Sequence, residues 1–196
     1  SITRRAKYII FKLSNEMKII SHLGMSGSYR VIDKKLFNNR QKIKHDHFIM
    51  KTDKFVVIYN DPRRFGYILL HSDTNFEHER LSHLGYEPLS KNCNAENLSS
   101  LLYKKDRNIK NVLMDQKIIA GLGNIYVCEA LYKSGISPLL EARRLVHKNR
   151  TPKKELILLV KNIKKIIESS IILGGSSLKD YVNTEGKMGY FQNKFN

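Results

Sequence analysis

Between two stretches of helical periodicity lies Gly121-Leu122-Gly123-Asn124, and residues 106–138 have to fold about that turn. Upstream, Ile109, Val112 and Leu113 recur at i, i+3 and i+4, the period of a helix with one buried face. Downstream, Ile125, Cys128 and Leu131 predict the buried face of a second helix, with Asn124 as its N-cap and Gly135 and Pro138 as its stop. Paired glycines let a backbone approach a ligand closely. A helix that follows them offers unpaired N–H groups and the positive end of its dipole, which suits a phosphate. Most Gly-rich turns only reverse the chain, so the turn alone does not name a ligand.

Charge supplies the direction. The 196 residues carry 35 Lys+Arg against 18 Asp+Glu, a formal net charge of +17, which points to nucleic acid as the owner of the phosphate. The positive residues are spread along the chain, as on a basic face of a folded body. Hydrophobic residues make up 41% and charged residues 27%, the balance of a globular chain with a core. The cysteines Cys93 and Cys128 form neither a disulfide framework nor a CxxC metal spacing, which makes a reducing cytoplasm the default. No apolar run reaches membrane-spanning length, so no membrane partner is expected.

In order, residues 4–13 predict a strand, 14–16 a turn and 17–23 the returning strand. Residues 24–28 are a small-residue break, and Tyr29-Arg30-Val31-Ile32 is extended. A hairpin follows from His47–Lys51 and Phe55–Asn60, then a turn over 61–66 and a strand over 67–71. Short strands at this spacing predict an antiparallel sandwich or barrel. Residues 72–97 read as an irregular connection. Helices are predicted over 97–104, 107–115, 124–134 and 152–173. The last would be capped by Thr151, begin at Pro152, and present Leu156, Leu159, Val160, Ile163, Ile166 and Ile167 as one stripe.

Several clusters carry possible chemistry. Lys7 lies beside Arg4 and Arg5, and packed cations lower a lysine pKa, although such a lysine is more often part of a solvated face. Met25, in Gly24-Met25-Ser26-Gly27, can project from a tight turn as a flexible apolar plug, or simply be buried. In Asp61-Pro62-Arg63-Arg64-Phe65-Gly66 a rigid turn presents two guanidinium groups and an aromatic wedge. Base extrusion needs these parts, although a surface hairpin with an Arg stacked on a Phe would read the same way. His45 and His47, in Lys44-His45-Asp46-His47, would share one strand face. No third ligand is evident, and no metal site is assigned. Glu129 could be a functional carboxylate or an exposed partner of Lys133.

Taken together, HLGMSGS at 22–28, KHDH at 44–47, DPRRFG at 61–66, LMDQKIIAGLGNIYVCEALYKSGISP at 113–138, GGSSLKDY at 174–181 and GKMGYF at 186–191 closely resemble bacterial formamidopyrimidine-DNA glycosylase (Fpg). The resemblance covers essentially the whole chain. It implies an α+β protein with an antiparallel β-sandwich over 1–75, a connection over 76–97, and a helical domain over 98–196 that carries a helix–two-turns–helix. It implies excision of oxidised purines, such as 8-oxoguanine and formamidopyrimidines, from double-stranded DNA. Strand cleavage at the abasic site by β/δ-elimination through an amine Schiff base would follow. Met25 would fill the hole left by the extruded nucleotide, Arg63 would read the orphaned cytosine, and Phe65 would be the wedge. Lys7, Lys44, His45, Arg64, Lys110, Gly121, Gly123, Asn124 and Tyr190 would contact DNA, with Lys7 and Glu129 supporting the chemistry. Gly175, Ser176, Ser177 and Lys179 would belong to a loop that closes over the base. Endonuclease VIII shares the helix–two-turns–helix and lacks DPRRFG, which favours purines.

The chain departs from the family pattern in places. Met188 and Tyr86 stand where prolines are usual. The family's N-terminal catalytic proline and glutamate, and its C-terminal zinc finger, are expected to lie outside the 196 residues. On that basis no cofactor is expected within the chain, zinc being assigned to the finger, and the chain is expected to bind DNA and extrude bases without excising them. The resemblance also implies a monomer in a bacterial cytoplasm, associated with the nucleoid. The alternative is a non-catalytic nucleic-acid-binding module, a truncated or decayed glycosylase or an RNA-binding relative, since the helical motif also occurs in a ribosomal protein.

Overall fold

The computed structural model describes residues 1–38, 43–72 and 78–175. Ser176, Ser177, Lys179 and Tyr190, and most of the expected closing loop, lie outside these residues.

The chain divides into two compact units. Of the described residues, one holds 1–3, 8–38, 43–72 and 170–175, and the other holds 4–7 and 78–169. The first is built from strands β1 (Ile2–Arg5), β2 (Tyr8–Lys12), β3 (Lys18–His22), β4 (Ser28–Asp33), β5 (Asp46–Lys51), β6 (Phe55–Asn60) and β7 (Tyr67–His71). They form two sheets, in the orders β1-β2-β3-β7 and β4-β6-β5. The pairs β2–β3, β3–β7, β4–β6 and β5–β6 are antiparallel. Alternation along the strands buries Ile20 on β3 and Val56 and Ile58 on β6, as period-two patterning demands. The sheets meet where Phe11 packs edge-on against Tyr29 and the Tyr29 hydroxyl donates to Ser21 Oγ at 2.7 Å. This is the antiparallel β-sandwich that the sequence implies.

The second unit is helical, with α1 (Glu79–Ser82), α2 (Ala95–Leu102), α3 (Ile109–Met114), α4 (Asn124–Lys133), a 3-10 turn over Ala142–Leu145, and α5 (Lys154–Ile172). Its core includes Leu98, Leu102, Ile109, Leu113, Ile119, Leu122 and Leu131, together with Leu156, Leu159 and Ile163 of the α5 stripe. No helix among the described residues is long and apolar enough to cross a membrane.

Four local expectations are corrected. The single strand over 4–13 is broken at Ala6-Lys7, where Ala6 takes φ 51°, so Lys7 sits in a turn between β1 and β2. The buried face of α4 is Val127, Ala130 and Leu131, and Cys128 is only partly covered. Asn124 is the first residue of that helix, whose N-cap is Gly123. Pro152 bridges Val146 ahead of α5, which starts two residues later at Lys154, so Thr151 is not its cap. The α4 stop holds: Gly135 takes φ 63°, its N–H donates to Tyr132 O, and Ile136 N–H reaches back to Leu131 O, a glycine-terminated helix end.

Candidate nucleic-acid interface

In the β unit, the 22–28 and 61–66 turns form one head. Gly24 has φ 63°, and a Cβ there would stand 2.5 Å from the Phe65 carbonyl carbon and from Gly66 N, so only glycine lets the two backbones meet. Between them lies Asp61, 1% exposed. Its Oδ1 accepts the Ser26 hydroxyl at 2.5 Å, and its Oδ2 accepts Gly66 N–H at 2.8 Å and the Tyr59 hydroxyl at 3.1 Å. Burial pushes the Asp61 pKa up, and the hydrogen bonds from Ser26, Gly66, Tyr59 and Arg64 outweigh it, holding the carboxyl below its ordinary value.

This buried post leaves the working side chains outside. Met25 and Phe65 are each 57% exposed, and Arg63 and Arg64 are exposed. The Arg63 guanidinium lies 4.9 Å over the Phe65 ring, and its backbone N–H donates to Ser26 Oγ at 3.1 Å. Arg64 takes φ 56°, which turns the chain so that Arg63 and Phe65 leave the same loop. Expected Met25, Arg63 and Phe65 are therefore brought together on two touching turns of one unit.

The KHDH stretch supports that head from the side. His47 Nε2 donates to the Asp61 carbonyl at 2.9 Å, and Asp61 N–H donates to His45 O at 3.1 Å. Asp46 takes both of its contacts to Arg30 (2.9 and 2.8 Å) and accepts Asn60 Nδ2 at 2.9 Å. The same amide nitrogen donates to Lys44 O at 3.0 Å. His45 and His47 do not share a plain strand face, because His45 has φ 72° and the register shifts between Asp46 and Phe48. Among the described residues no group of three or more His, Cys, Asp or Glu could hold a metal ion.

In the helical unit, the Gly121–Gly123 turn is faced by the Ala6-Lys7 turn. Gly121 has φ 86°, and a Cβ there would stand 3.2 Å from Ala6 Cα; one on Gly123 would stand 3.4 Å from Lys7 Nζ. The ammonium of Lys7 thus lies beside the start of α4, where no side chain caps the first-turn N–H groups. The residue as a whole is exposed, but its head group is crowded by protein, and that desolvation lowers its pKa.

Two residues that the sequence gave no role build this arrangement. Gln116 Oε1 accepts Gly121 N–H at 2.7 Å, while its Nε2 donates to Met114 O and Leu122 O, each at 3.1 Å. The Gly121 N–H is therefore engaged inside the turn by Gln116. Glu87 accepts Ala6 N–H at 2.6 Å and Arg5 at 2.8 Å through Oε1, and Arg4 at 2.9 Å through Oε2. Arg5 also donates to Leu84 O and Gly85 O, both at 2.8 Å. Gly85 N–H bonds Gln116 O at 2.8 Å, closing the circuit. Nothing in the sequence marked Gln116. Glu87 was legible only as an acid within a basic chain.

Lys110 is half-buried on α3, whose N-cap Asn108 accepts Asn111 N–H at 3.0 Å. Asn124 accepts the Cys128 thiol at 3.7 Å through Oδ1. Glu129 is half-buried on α4. Gly175, the described edge of the closing loop, has φ 93° and open space around its Cα.

An antiparallel sandwich whose 61–66 turn exposes Arg63 and Phe65, followed by a helical unit with an uncapped helix start beside a lysine, matches two family models. The formamidopyrimidine-DNA glycosylase N-terminal domain covers residues 1–68, and the formamidopyrimidine-DNA glycosylase H2TH domain covers residues 84–182. The chain belongs to the formamidopyrimidine-DNA glycosylase family, whose members are DNA-repair glycosylases. Formamidopyrimidine-DNA glycosylase of Bartonella tribocorum is 45% identical over 98% of this chain and 69% of its own length. That of Agrobacterium fabrum is 42% identical over 100% of this chain and 70% of its own. The solved complex between Lactococcus lactis Fpg and an abasic site containing DNA is 34% identical, with a TM-score of 0.83 over 99% of this chain and 68% of that one. MutM in complex with carbocyclic 8-oxo-G containing DNA is 34% identical, with a TM-score of 0.82. Because the N-terminal-domain model matches from residue 1, the N-terminal part of the family is represented here. That corrects the expectation of a chain lacking it, and removes the ground on which inactivity was expected.

Proposed function

We propose that the protein acts in base-excision repair on double-stranded DNA, removing oxidised purines such as 8-oxoguanine and formamidopyrimidines and acting at abasic sites. The observation that carries the reading is the Arg63 guanidinium 4.9 Å over the exposed Phe65 ring, on a loop fixed from beneath and touching the Met25 turn. A wedge holds the stack open, a plug fills the vacated space, and a planar fork satisfies the base left without a partner. The oxidised base then sits outside the duplex, where an amine can reach C1′. The amine nitrogen bonds C1′, and the base leaves with the glycosidic electron pair and takes up a proton. Cleavage of C1′–O4′, with O4′ taking up a proton, opens the sugar to a Schiff base that acidifies C2′–H; loss of that proton expels the 3′ phosphate, and a second elimination with loss of the C4′ proton expels the 5′ phosphate.

In the helical unit, Lys7, Lys110 and the start of α4 with Gly123 and Asn124 hold the phosphates. Cations and free N–H groups there neutralise charge without reading sequence. Glu129 and Lys7 are the supporting groups nearest that anchor, and Arg64 and Lys44 add phosphate contacts from the β unit. The partners of the structural relatives, DNA with an abasic site and DNA with 8-oxo-G, support the same assignment. The test is a titration at fixed salt of duplexes that are intact or carry an abasic-site analogue. Binding about tenfold tighter to the damaged duplex is expected. Equal affinity for both would overturn the reading.

A further inference from the structure

Asp61 is 1% exposed, yet both turns of the extrusion head donate to its carboxylate. Ser26, next to Met25, is 2% exposed; it donates to the Asp61 carboxylate and accepts Arg63 N–H. Gly66, next to Phe65, donates to the other carboxylate oxygen. The Asp61 backbone takes His47 through its carbonyl and gives its N–H to His45. A buried carboxylate is expensive to desolvate, and this one is satisfied by the donors of the two turns together with the Tyr59 hydroxyl.

We propose that Asp61 is a positioning residue that locks the Met25 turn to the Arg63–Phe65 loop, so that plug, fork and wedge move as one body, and that it thereby sets how strictly the base opposite the lesion is read. The inference rests on the extrusion reading above. Reading a base edge with a guanidinium fork tolerates only small displacements, and a fork on a slack loop accepts several bases with similar energy. Loss of the lock therefore erodes discrimination before it erodes affinity. Phosphate binding in the helical unit involves none of these bonds and stays as it is.

Asp61→Ala, Asp61→Asn and Ser26→Ala in the full chain test this. Each is titrated by fluorescence anisotropy against duplexes with an abasic-site analogue opposite cytosine, the same analogue opposite adenine, and intact duplex. Asp61→Ala and Ser26→Ala are expected to lower the cytosine-over-adenine preference about fivefold or more, with intact-duplex affinity, held mainly by the helical unit, falling by less than that preference. Asp61→Asn keeps an oxygen for Gly66 N–H and is expected to recover part of the preference, which a loss of bulk folding would not do. If Asp61→Ala does not fold, Ser26→Ala decides. Wild-type preference in a folded variant lacking the carboxylate or the Ser26 hydroxyl overturns the inference alone. Absence of any preference in the wild type overturns the extrusion reading and this inference with it.

Discussion

The carboxylate of Glu87 accepts the backbone N–H of Ala6 at 2.6 Å, and this bond holds a non-glycine residue at φ 51°. A left-handed L-residue is unfavourable by roughly 1–2 kcal/mol, so something must hold it, and Glu87 with Arg4 and Arg5 does. The outcome is that Lys7 stands against Gly123.

Glu87→Ala leaves the Ala6 N–H and the Arg5 Nη1 group without their acceptor in a partly buried site. A loss of about 2–3 kcal/mol in unfolding free energy is expected, since Glu87 is 23% exposed and not fully screened. Chemical denaturation read by circular dichroism checks it. A change under about 0.5 kcal/mol, the scatter of ordinary surface substitutions, would show that the turn holds itself.

The same carboxylate predicts the acid limb of stability. Burial raises the Glu87 pKa, but the Ala6 N–H, Arg5 and Arg4 together hold it below its ordinary value, and Asp61 is likewise held low. An unfolded Glu titrates near 4.3 and an unfolded Asp near 3.9, so above these values both groups contribute fully. That contribution is lost as pH falls through the lower folded values, because the unfolded chain binds protons first. Melting temperature is expected to drop below about pH 4, and less steeply in Glu87→Gln, as scanning calorimetry across pH would show.

Gly123→Ser separates folding from binding. Serine is a good N-cap, so stability is expected to stay within about 0.5 kcal/mol or rise. Its hydroxyl takes a helix N–H meant for phosphate, and its Cβ stands 3.4 Å from Lys7 Nζ, so affinity for every duplex should fall together. Parallel melts and titrations decide.

How much of this was legible follows from what kind of interaction each part uses. Strand alternation and the α5 stripe write themselves into the sequence through burial, so the sandwich strands over 17–71 and the helix ending near Ile172 were readable. The motifs at 22–28 and 61–66 were readable as tight turns because glycine and proline mark them, whereas the wedge and plug parts came only from the resemblance to the family. What stayed hidden is set by contacts distant in sequence. The break at Ala6-Lys7 depends on Glu87, and the α4 face depends on which neighbours cover Val127 in place of Ile125. Gln116, an ordinary polar residue, gains its part only when Gly121 folds back onto it. Asp61 stood within a recognised motif, but its work is done inward, where residue type says nothing about partners.

Lys110→Ala should weaken all duplexes alike and reduce the salt slope by about one. The side chain lies on α3 in the helical unit and takes part in none of the bonds of the extrusion head. Titration of intact and abasic duplexes over a range of salt measures both quantities.

The measurement that bears most directly on the central claim is the opposite-base preference of Arg63→Ala, set beside wild type and Lys110→Ala on abasic-analogue duplexes. Removing the guanidinium that lies over Phe65 is predicted to erase about 1–3 kcal/mol of preference for cytosine, while Lys110→Ala leaves that preference intact. If Arg63→Ala lowered affinity equally for every opposite base, as Lys110→Ala does, then Arg63 would be a phosphate contact and the head on Asp61 would not be reading the orphaned base.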